Sequence, residues 1–262
     1  MAFIQCSFYS ESLGLSTSMS VILPQQTQTQ IGMTGNVIAA KHPTLYLFHG
    51  LSDDHTIWMR RTSIERYASE LGIAVIMPSV HRSFYEDMAT GMNFWTFVSE
   101  ELPAIARSFF PLSDKREDNF VAGLSMGGFG AFKLALNYPE KYAAAASLSG
   151  ALIAKNVFVR FPLDANLIYN SCESIKGSDS DLLAVAERLA KSNQPKPLLY
   201  QICGTEDFLY KDNKEFQLFV ESLDLPLKYV EAPGGHSWTF WDEHIQHVLR
   251  WLPITQSKSE PS

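Results

Sequence analysis

The pentapeptide Gly123-Leu124-Ser125-Met126-Gly127 sets a serine between two glycines, where an apolar run, "NFVAGL", meets a helix-like run, "MGGFGAFKLALN". The pattern G-x-S-x-G arises by accident in about one chain in ten of this length, so its setting has to decide. A serine lifted onto a sharp strand-to-helix turn projects its hydroxyl away from the sheet. Such a turn is crowded, and the positions two before and two after must be small. Gly123 and Gly127 meet that demand. A helix beginning at Met126 would place its positive end beside the hydroxyl and favour negative charge developing there. The chemistry on offer is nucleophilic attack on a carbonyl; the bland alternative is a glycine-rich turn with a structural serine.

A serine hydroxyl needs a base. His236, in "APGGHSWTFW", follows the last strand-like run and precedes the last helix-like run, which puts it at the same sheet end as Ser125. His42 and His81 occupy less suitable loops, and His244 and His247 fall on the final helix, where packing or surface roles suit them better. The ring must be held in one tautomer and stabilised when it charges. Asp207, in "CGTEDFLY", is the choice for that carboxylate; Glu206 is the next candidate, and Asp212 reads as a helix N-cap. The backbone N–H groups of Leu51, in "LFHGLSDD", and of Met126 are the expected oxyanion donors, each worth about 3 kcal/mol in the transition state. His49 either braces that loop or forms a pocket wall.

These residues need a scaffold that delivers them to one place. "TLYLFHG", "GIAVIMPSV", "NFVAGLS", "YAAAASLSG", "PLLYQICG" and "LKYVEAPG" are apolar strand-like runs, alternating with helix-like stretches. Those stretches include Trp58 to Leu71, the run from Phe94 to Phe109 with Pro103 as a kink point, Met126 to Asn137, and the final "TFWDEHIQHVLRWL". Continuous apolar strands alternating with amphipathic helices predict an α/β fold: a mostly parallel sheet covered on both faces. "CSFYSES" and "TSMSVILP" alternate apolar and polar residues and predict an antiparallel pair at the leading edge. "PQQTQTQ" reads as a hairpin loop and the tail "TQSKSEPS" as frayed. Ligands bind such sheets beyond the carboxyl ends of the strands, where Ser125, Asp207, His236 and Leu51 all stand.

With 262 residues, 46% of them hydrophobic, the chain can bury one large core, and residues 1–262 are expected to form one domain with a small cap-like insertion at about 152–195. Within that insertion "DSDLLAVAERLAK" looks like one amphipathic helix. The formal net charge is −7 and the basic residues are scattered, which argues against nucleic acid as a partner. No apolar run is long enough to span a bilayer, and "MAFIQCSFYSES" lacks the layout of a secretory leader. Three cysteines, Cys6, Cys172 and Cys203, are an odd number without metal-site spacing, and Cys203 is expected to be buried. A cytoplasmic protein is the expectation.

The chain resembles the α/β-hydrolase serine esterases of the esterase D group, which includes tributyrin and acetyl esterases and S-formylglutathione hydrolases; it is most similar to the bacterial tributyrin esterases. The resemblance runs from "YLFHG" to "GGHSWTFW" and is carried by "LFHGLSDDHTIWMRRTSIERYA", "NFWTFVSEELP", "GLSMGGFGAFKLAL" and "CGTEDFLY". It implies Ser125 as nucleophile, Asp207 and His236 as its partners, and Leu51 and Met126 as oxyanion donors. It implies a small-molecule ester substrate, no metal and no organic cofactor, and self-association of the kind relatives often show. Formylglutathione hydrolases often carry a threonine-cysteine pair just after the oxyanion loop, where this chain reads "GLSDDHTIW".

Aromatic residues near these segments, Trp58, Phe84, Tyr85, Trp95, Phe208 and Trp238, are candidate pocket walls. Trp58 and Trp238 stand closest in sequence to the oxyanion loop and the base and are the expected substrate contacts. The insertion is short for a large lid, so the expected substrates are acetyl to butyryl esters. A thioesterase of the S-formylglutathione type, an acyltransferase using the same three residues, and a hydrolase fold kept only for binding are the alternatives.

Overall fold

A computed structural model describes residues 1–33 and 35–254; the tail beginning at Thr255 lies outside them. Eight strands form one sheet: β1 (Ala2–Ser10), β2 (Leu15–Leu23), β3 (Thr44–Phe48), β4 (Ala74–Pro78), β5 (Asn119–Leu124), β6 (Ala144–Leu148), β7 (Leu198–Gly204) and β8 (Leu227–Ala232), in the spatial order β1-β2-β4-β3-β5-β6-β7-β8. β1 pairs with β2 and β2 with β4 antiparallel; every other neighbour pair is parallel. This is the α/β-hydrolase fold.

Burial follows from the alternation of side chains across the sheet. Along β3, Tyr46 and Phe48 enter one core and Leu45 and Leu47 the other; along β5, Val121 faces the first and Phe120, Ala122 and Leu124 the second. Strands β3 to β6 are buried throughout, as continuous apolar runs require. Helices cover both faces. Among the described residues, no helix is long and apolar enough to cross a membrane.

Three local expectations change. The stretch Trp58 to Leu71 is two helices, Ile57–Arg61 and Ile64–Leu71, because Thr62 is extended and its hydroxyl turns back to the Trp58 carbonyl at 2.6 Å. Around Pro103 the chain keeps its helical course through a widened π-turn, Phe97–Glu101, that leads into the helix Leu102–Phe109; the turn lies just before the ring that lacks an N–H. The segment "PQQTQTQ" opens the link from β2 to β3, where one antiparallel bridge joins Thr27 to Gly35, while the tight hairpin turn lies at residues 11–14, between β1 and β2.

The segment 152–195 holds more helix than its sequence suggested. Besides Leu182–Ala190, capped by Asp181, it contains Val157–Arg160 and Pro162–Ile168. Those two short helices stand over the carboxyl end of the sheet.

Candidate active site

Ser125 follows β5 and caps the helix Met126–Asn137 with φ 54°, ψ −118°. A positive φ is strained for any side chain larger than glycine, and close packing holds it. A methyl group on Gly127 would come within 2.6 Å of the Phe48 and His49 carbonyl oxygens, and one on Gly123 would overlap the Gly127 backbone. The Ser125 N–H donates to the Leu148 carbonyl at 2.9 Å, and its own carbonyl accepts from Gly128 and Ala151. The turn is tied to β6 as well as to its own helix.

Above it, His236 Nε2 lies 3.0 Å from Ser125 Oγ and His236 Nδ1 lies 2.8 Å from Asp207 Oδ2. Three residues from three loops, up to 111 positions apart, form one hydrogen-bonded line. Asp207 is buried, and its Oδ1 accepts the Leu209 N–H at 2.8 Å. Burial alone would push its carboxyl up. Bonding and charge from His236, the Leu209 N–H and the Ser149 hydroxyl together outweigh burial and hold it below the usual carboxylate range. An acceptor-only carboxylate fixes the proton of the ring on Nδ1 and leaves Nε2 free to take one. Glu206, the alternative, is exposed and bonds Thr205 and the Gly234 N–H instead.

The loop after β3 is braced from behind, one carbonyl at a time. The Trp58 indole N–H donates to the Phe48 carbonyl at 3.0 Å, the Tyr85 hydroxyl to the His49 carbonyl at 3.0 Å, and His49 Nδ1 lies 2.7 Å from the Gly50 carbonyl. The Val80 N–H donates to His49 Nε2 at 3.0 Å, so the ring's hydrogen is on Nδ1 and points at Gly50. Burial lowers the His49 pKa to about 4, which keeps the ring neutral. In a trans peptide the carbonyl and the next N–H point opposite ways. With the Gly50 carbonyl held by His49, the Leu51 N–H faces away from that ring, and Gly50 and Leu51 both line the cleft. The Met126 N–H opens a helix and has no carbonyl one turn back to bond.

The cleft above Ser125 has a volume of about 450 Å³ and is lined by Phe84, Phe208 and Trp238, with Ile153, Val157 and Phe161 from the segment 152–195. Trp238 is therefore at the cleft. Trp58 is not: it is 1% exposed, anchors the Phe48 carbonyl, and meets Trp238 edge-to-face at 5.2 Å from behind. Nearness in sequence to the oxyanion loop misled, because the helix carrying Trp58 turns it into the core. Tyr85 and Trp95 likewise pack away from the cleft; Trp95 lies under the Lys133 ammonium at 4.1 Å. Asp212 lies inside the helix Tyr210–Glu221 rather than capping it, and pairs with Arg160 through two bonds of 2.6 and 2.9 Å.

Two residues beside the Ser125, His236 and Asp207 line were not among those singled out from the sequence. Trp241 sets its ring edge-on to His236 at 4.8 Å and donates its N–H to Ser149 Oγ at 3.2 Å. Ser149, just after β6, is buried with φ 50°. Its signal was the "SLSG" ending of that strand, a small polar residue at the right sheet end.

The family model described as "Putative esterase" matches residues 10–252. The chain is 32% identical to an acetyl esterase of Caldicellulosiruptor saccharolyticus over 263 residues, which covers 96% of this chain and 98% of that one. Among solved structures, the fluorophosphonate-binding serine hydrolase FphF of Staphylococcus aureus superposes with a TM-score of 0.87 at 36% identity, over 97% of this chain and 99% of that one. An S-formylglutathione hydrolase, FrmB, of Staphylococcus aureus gives 0.85 at 36% identity, over 96% and 98%. The hydrogen-bonded serine, the strained turn that carries it and these likenesses agree: the chain belongs to the esterase family of α/β-hydrolase enzymes.

Proposed function

We propose that this esterase is a serine carboxylesterase that cleaves acetyl to butyryl esters through an acyl-enzyme. The substrate carbonyl enters between Ser125 and the amides of Leu51 and Met126. His236 Nε2 takes the hydroxyl proton as Oγ attacks the carbonyl carbon. The two N–H groups hold the tetrahedral oxyanion, and Asp207 stays ionised and steadies the imidazolium. His236 then protonates the departing alcohol, and water repeats the cycle to free the acid.

The observation that carries this reading is the unbroken line from Asp207 through His236 to Ser125 at the floor of a cleft. The limited volume of that cleft, about 450 Å³, supports a small acyl group. A series of p-nitrophenyl esters tests it: turnover should be greatest between two and four acyl carbons. Greatest activity at twelve carbons or longer would overturn the short-chain assignment.

The likeness to an S-formylglutathione hydrolase favours a second reading, a thioesterase using the same residues. The stretch after the oxyanion loop, "GLSDDHTIW", lacks the threonine-cysteine pair common in that group and speaks against it. Comparing kcat/KM for S-formylglutathione and p-nitrophenyl acetate separates the two.

A further inference from the structure

Beside the cleft lies a second chamber of about 620 Å³, larger than the first. The two share Leu51, Ser52, Asp53 and Arg82 as lining, so they meet at the loop whose Leu51 N–H is assigned to the oxyanion. A carbonyl held there has the mouth of the second chamber next to it. An acetyl group needs only part of the first chamber, and the proposed reaction leaves the second without a role.

The chamber's walls are apolar, from Met88, Met92 and Phe94 on one side and Leu167 and Ile168 on the other. They are stitched together by backbone. The Ala89 N–H donates to the Ile168 carbonyl at 2.9 Å and the Thr90 N–H to the Leu167 carbonyl at 3.1 Å. Behind them the buried Glu86 carboxylate takes bonds from Lys133, from Tyr169 at 3.2 Å and from Ser180 at 2.5 Å. Backbone pairing between the loop at Ala89 and Thr90 and the end of the helix Pro162–Ile168, backed by a saturated buried network, makes this a formed cavity. Methionines on one wall adapt to differing shapes.

At its polar rim the Arg82 guanidinium is held by Asp164 through two bonds of 2.7 Å. That pairing neutralises the cation, and Asp53 adds a carboxylate where the chambers meet. An anionic group would face two carboxylates, against one spent guanidinium and the His81 imidazole, whose ring packs edge-on to Phe94 at 5.9 Å. We infer that this chamber is a subsite for the uncharged, apolar end of the ester's alcohol; the inference rests on Ser125 being the nucleophile of a short-chain acyl esterase.

The test compares methyl acetate with benzyl acetate, extended on the alcohol side, and methyl hexanoate, extended on the acyl side, by pH-stat. The protein, Leu167→Trp and Met92→Trp are assayed together, the two variants filling the chamber from opposite walls. In the unsubstituted enzyme, kcat/KM should favour benzyl acetate over methyl acetate, by about fourfold for each methylene-sized group buried, and methyl hexanoate should show no such gain. Each tryptophan should cut that preference about tenfold; a preference for methyl hexanoate in place of benzyl acetate would overturn the alcohol-side subsite. A preference within twofold of the unsubstituted enzyme in both variants overturns the subsite. Fluorophosphonate labelling of Ser125 is run alongside: a labelled serine with an unmoved preference sinks the subsite alone, whereas an unlabelled serine in the unsubstituted protein sinks the nucleophile assignment and the subsite with it.

Discussion

At the Ser125 turn, position is set by backbone. Ser125 is fixed by its amide bond to Leu148, by glycines that admit the Phe48 and His49 carbonyls, and by a loop whose successive carbonyls are each anchored. Across the cleft, the short helix Val157–Arg160 is pinned by a side-chain ion pair, Arg160 to Asp212, and Pro162–Ile168 by the pair Arg82 to Asp164 together with two backbone bonds from Ala89 and Thr90 at its end. They expose Val159 and Leu163, each at 82%. The floor must hold reacting atoms to a fraction of an ångström, and backbone contacts among small residues are stiff enough for that. The walls need only admit and shape a ligand, and long side chains with solvent access suffice. Substitutions on the floor should therefore cost chemistry or folding outright, and substitutions on the walls should mostly alter which ester is preferred.

The largest contrast is at Ser125, the proposed nucleophile. Ser125→Ala should lower kcat by about four orders of magnitude or more, abolish fluorophosphonate labelling and leave the thermal midpoint close to that of the unsubstituted protein. A loss of less than tenfold would remove the floor from the chemistry. Gly127→Ala tests stiffness instead of reactivity. Its methyl would meet two backbone oxygens at 2.6 Å, neither the end of a flexible side chain. Overpacking of this kind costs about 3 kcal/mol or more when the neighbours cannot shift, to be read from denaturant midpoints; a change below about 1 kcal/mol would show a turn looser than its geometry.

His49 lies between these extremes. His49→Ala removes one of the two bonds on the Gly50 carbonyl, the other coming from the Asp53 N–H at 3.2 Å, and so loosens the direction of the Leu51 N–H. The expected cost is about tenfold in kcat, below the scale of one lost oxyanion donor, with Ser125 still labelled by fluorophosphonate. Stability carries a second signature. Burial lowers the His49 pKa from 6.5 to about 4, so between those values the unfolded chain binds more protons than the folded one, and stability falls as pH falls through that window. The alanine variant should show a shallower acid limb between pH 6.5 and 4. An unchanged slope would mean that other groups govern it.

The same contrast explains what could be read from the chain beforehand. Floor residues are legible because their constraints are local. Gly123 and Gly127 flank Ser125 within five positions, His236 follows a glycine pair, and Asp207 sits three residues beyond the end of β7. The mostly parallel direction of the sheet follows from continuous apolar runs buried on both faces, and its antiparallel edge from the alternating runs at the start of the chain; the spatial order of the strands is set by long-range pairing. Wall residues depend on where distant segments land. Trp58 and Trp238 looked equivalent in sequence, yet a helix of five residues turns the first into the core while the second borders the cleft. Asp212 looked like a cap because it follows the Asp207 loop, and nothing local announces that Arg160, 52 positions earlier, reaches it. The helices at 157–168 were invisible for a related reason: they are short, carry exposed apolar residues, and owe their order to tertiary contacts.

Asp212→Asn gives the smallest effect and sharpens the comparison most. Asp212 is buried and Arg160 only partly, so removing the carboxylate charge leaves a guanidinium that can still turn toward water. The cost to stability should be about 1–2 kcal/mol, below the range for a fully buried pair that loses one member. The helix Val157–Arg160 contributes Val157 and Arg160 to the cleft wall. Loosening it should raise KM for butyryl esters a few-fold and change kcat for acetyl esters less than twofold, because no group that touches the scissile bond has moved. Steady-state kinetics on both esters, with denaturant midpoints alongside, checks this. If kcat fell for acetyl and butyryl esters alike by tenfold or more, the wall would be coupled to the reacting atoms, and the division between a backbone-set floor and a side-chain-set wall would fail.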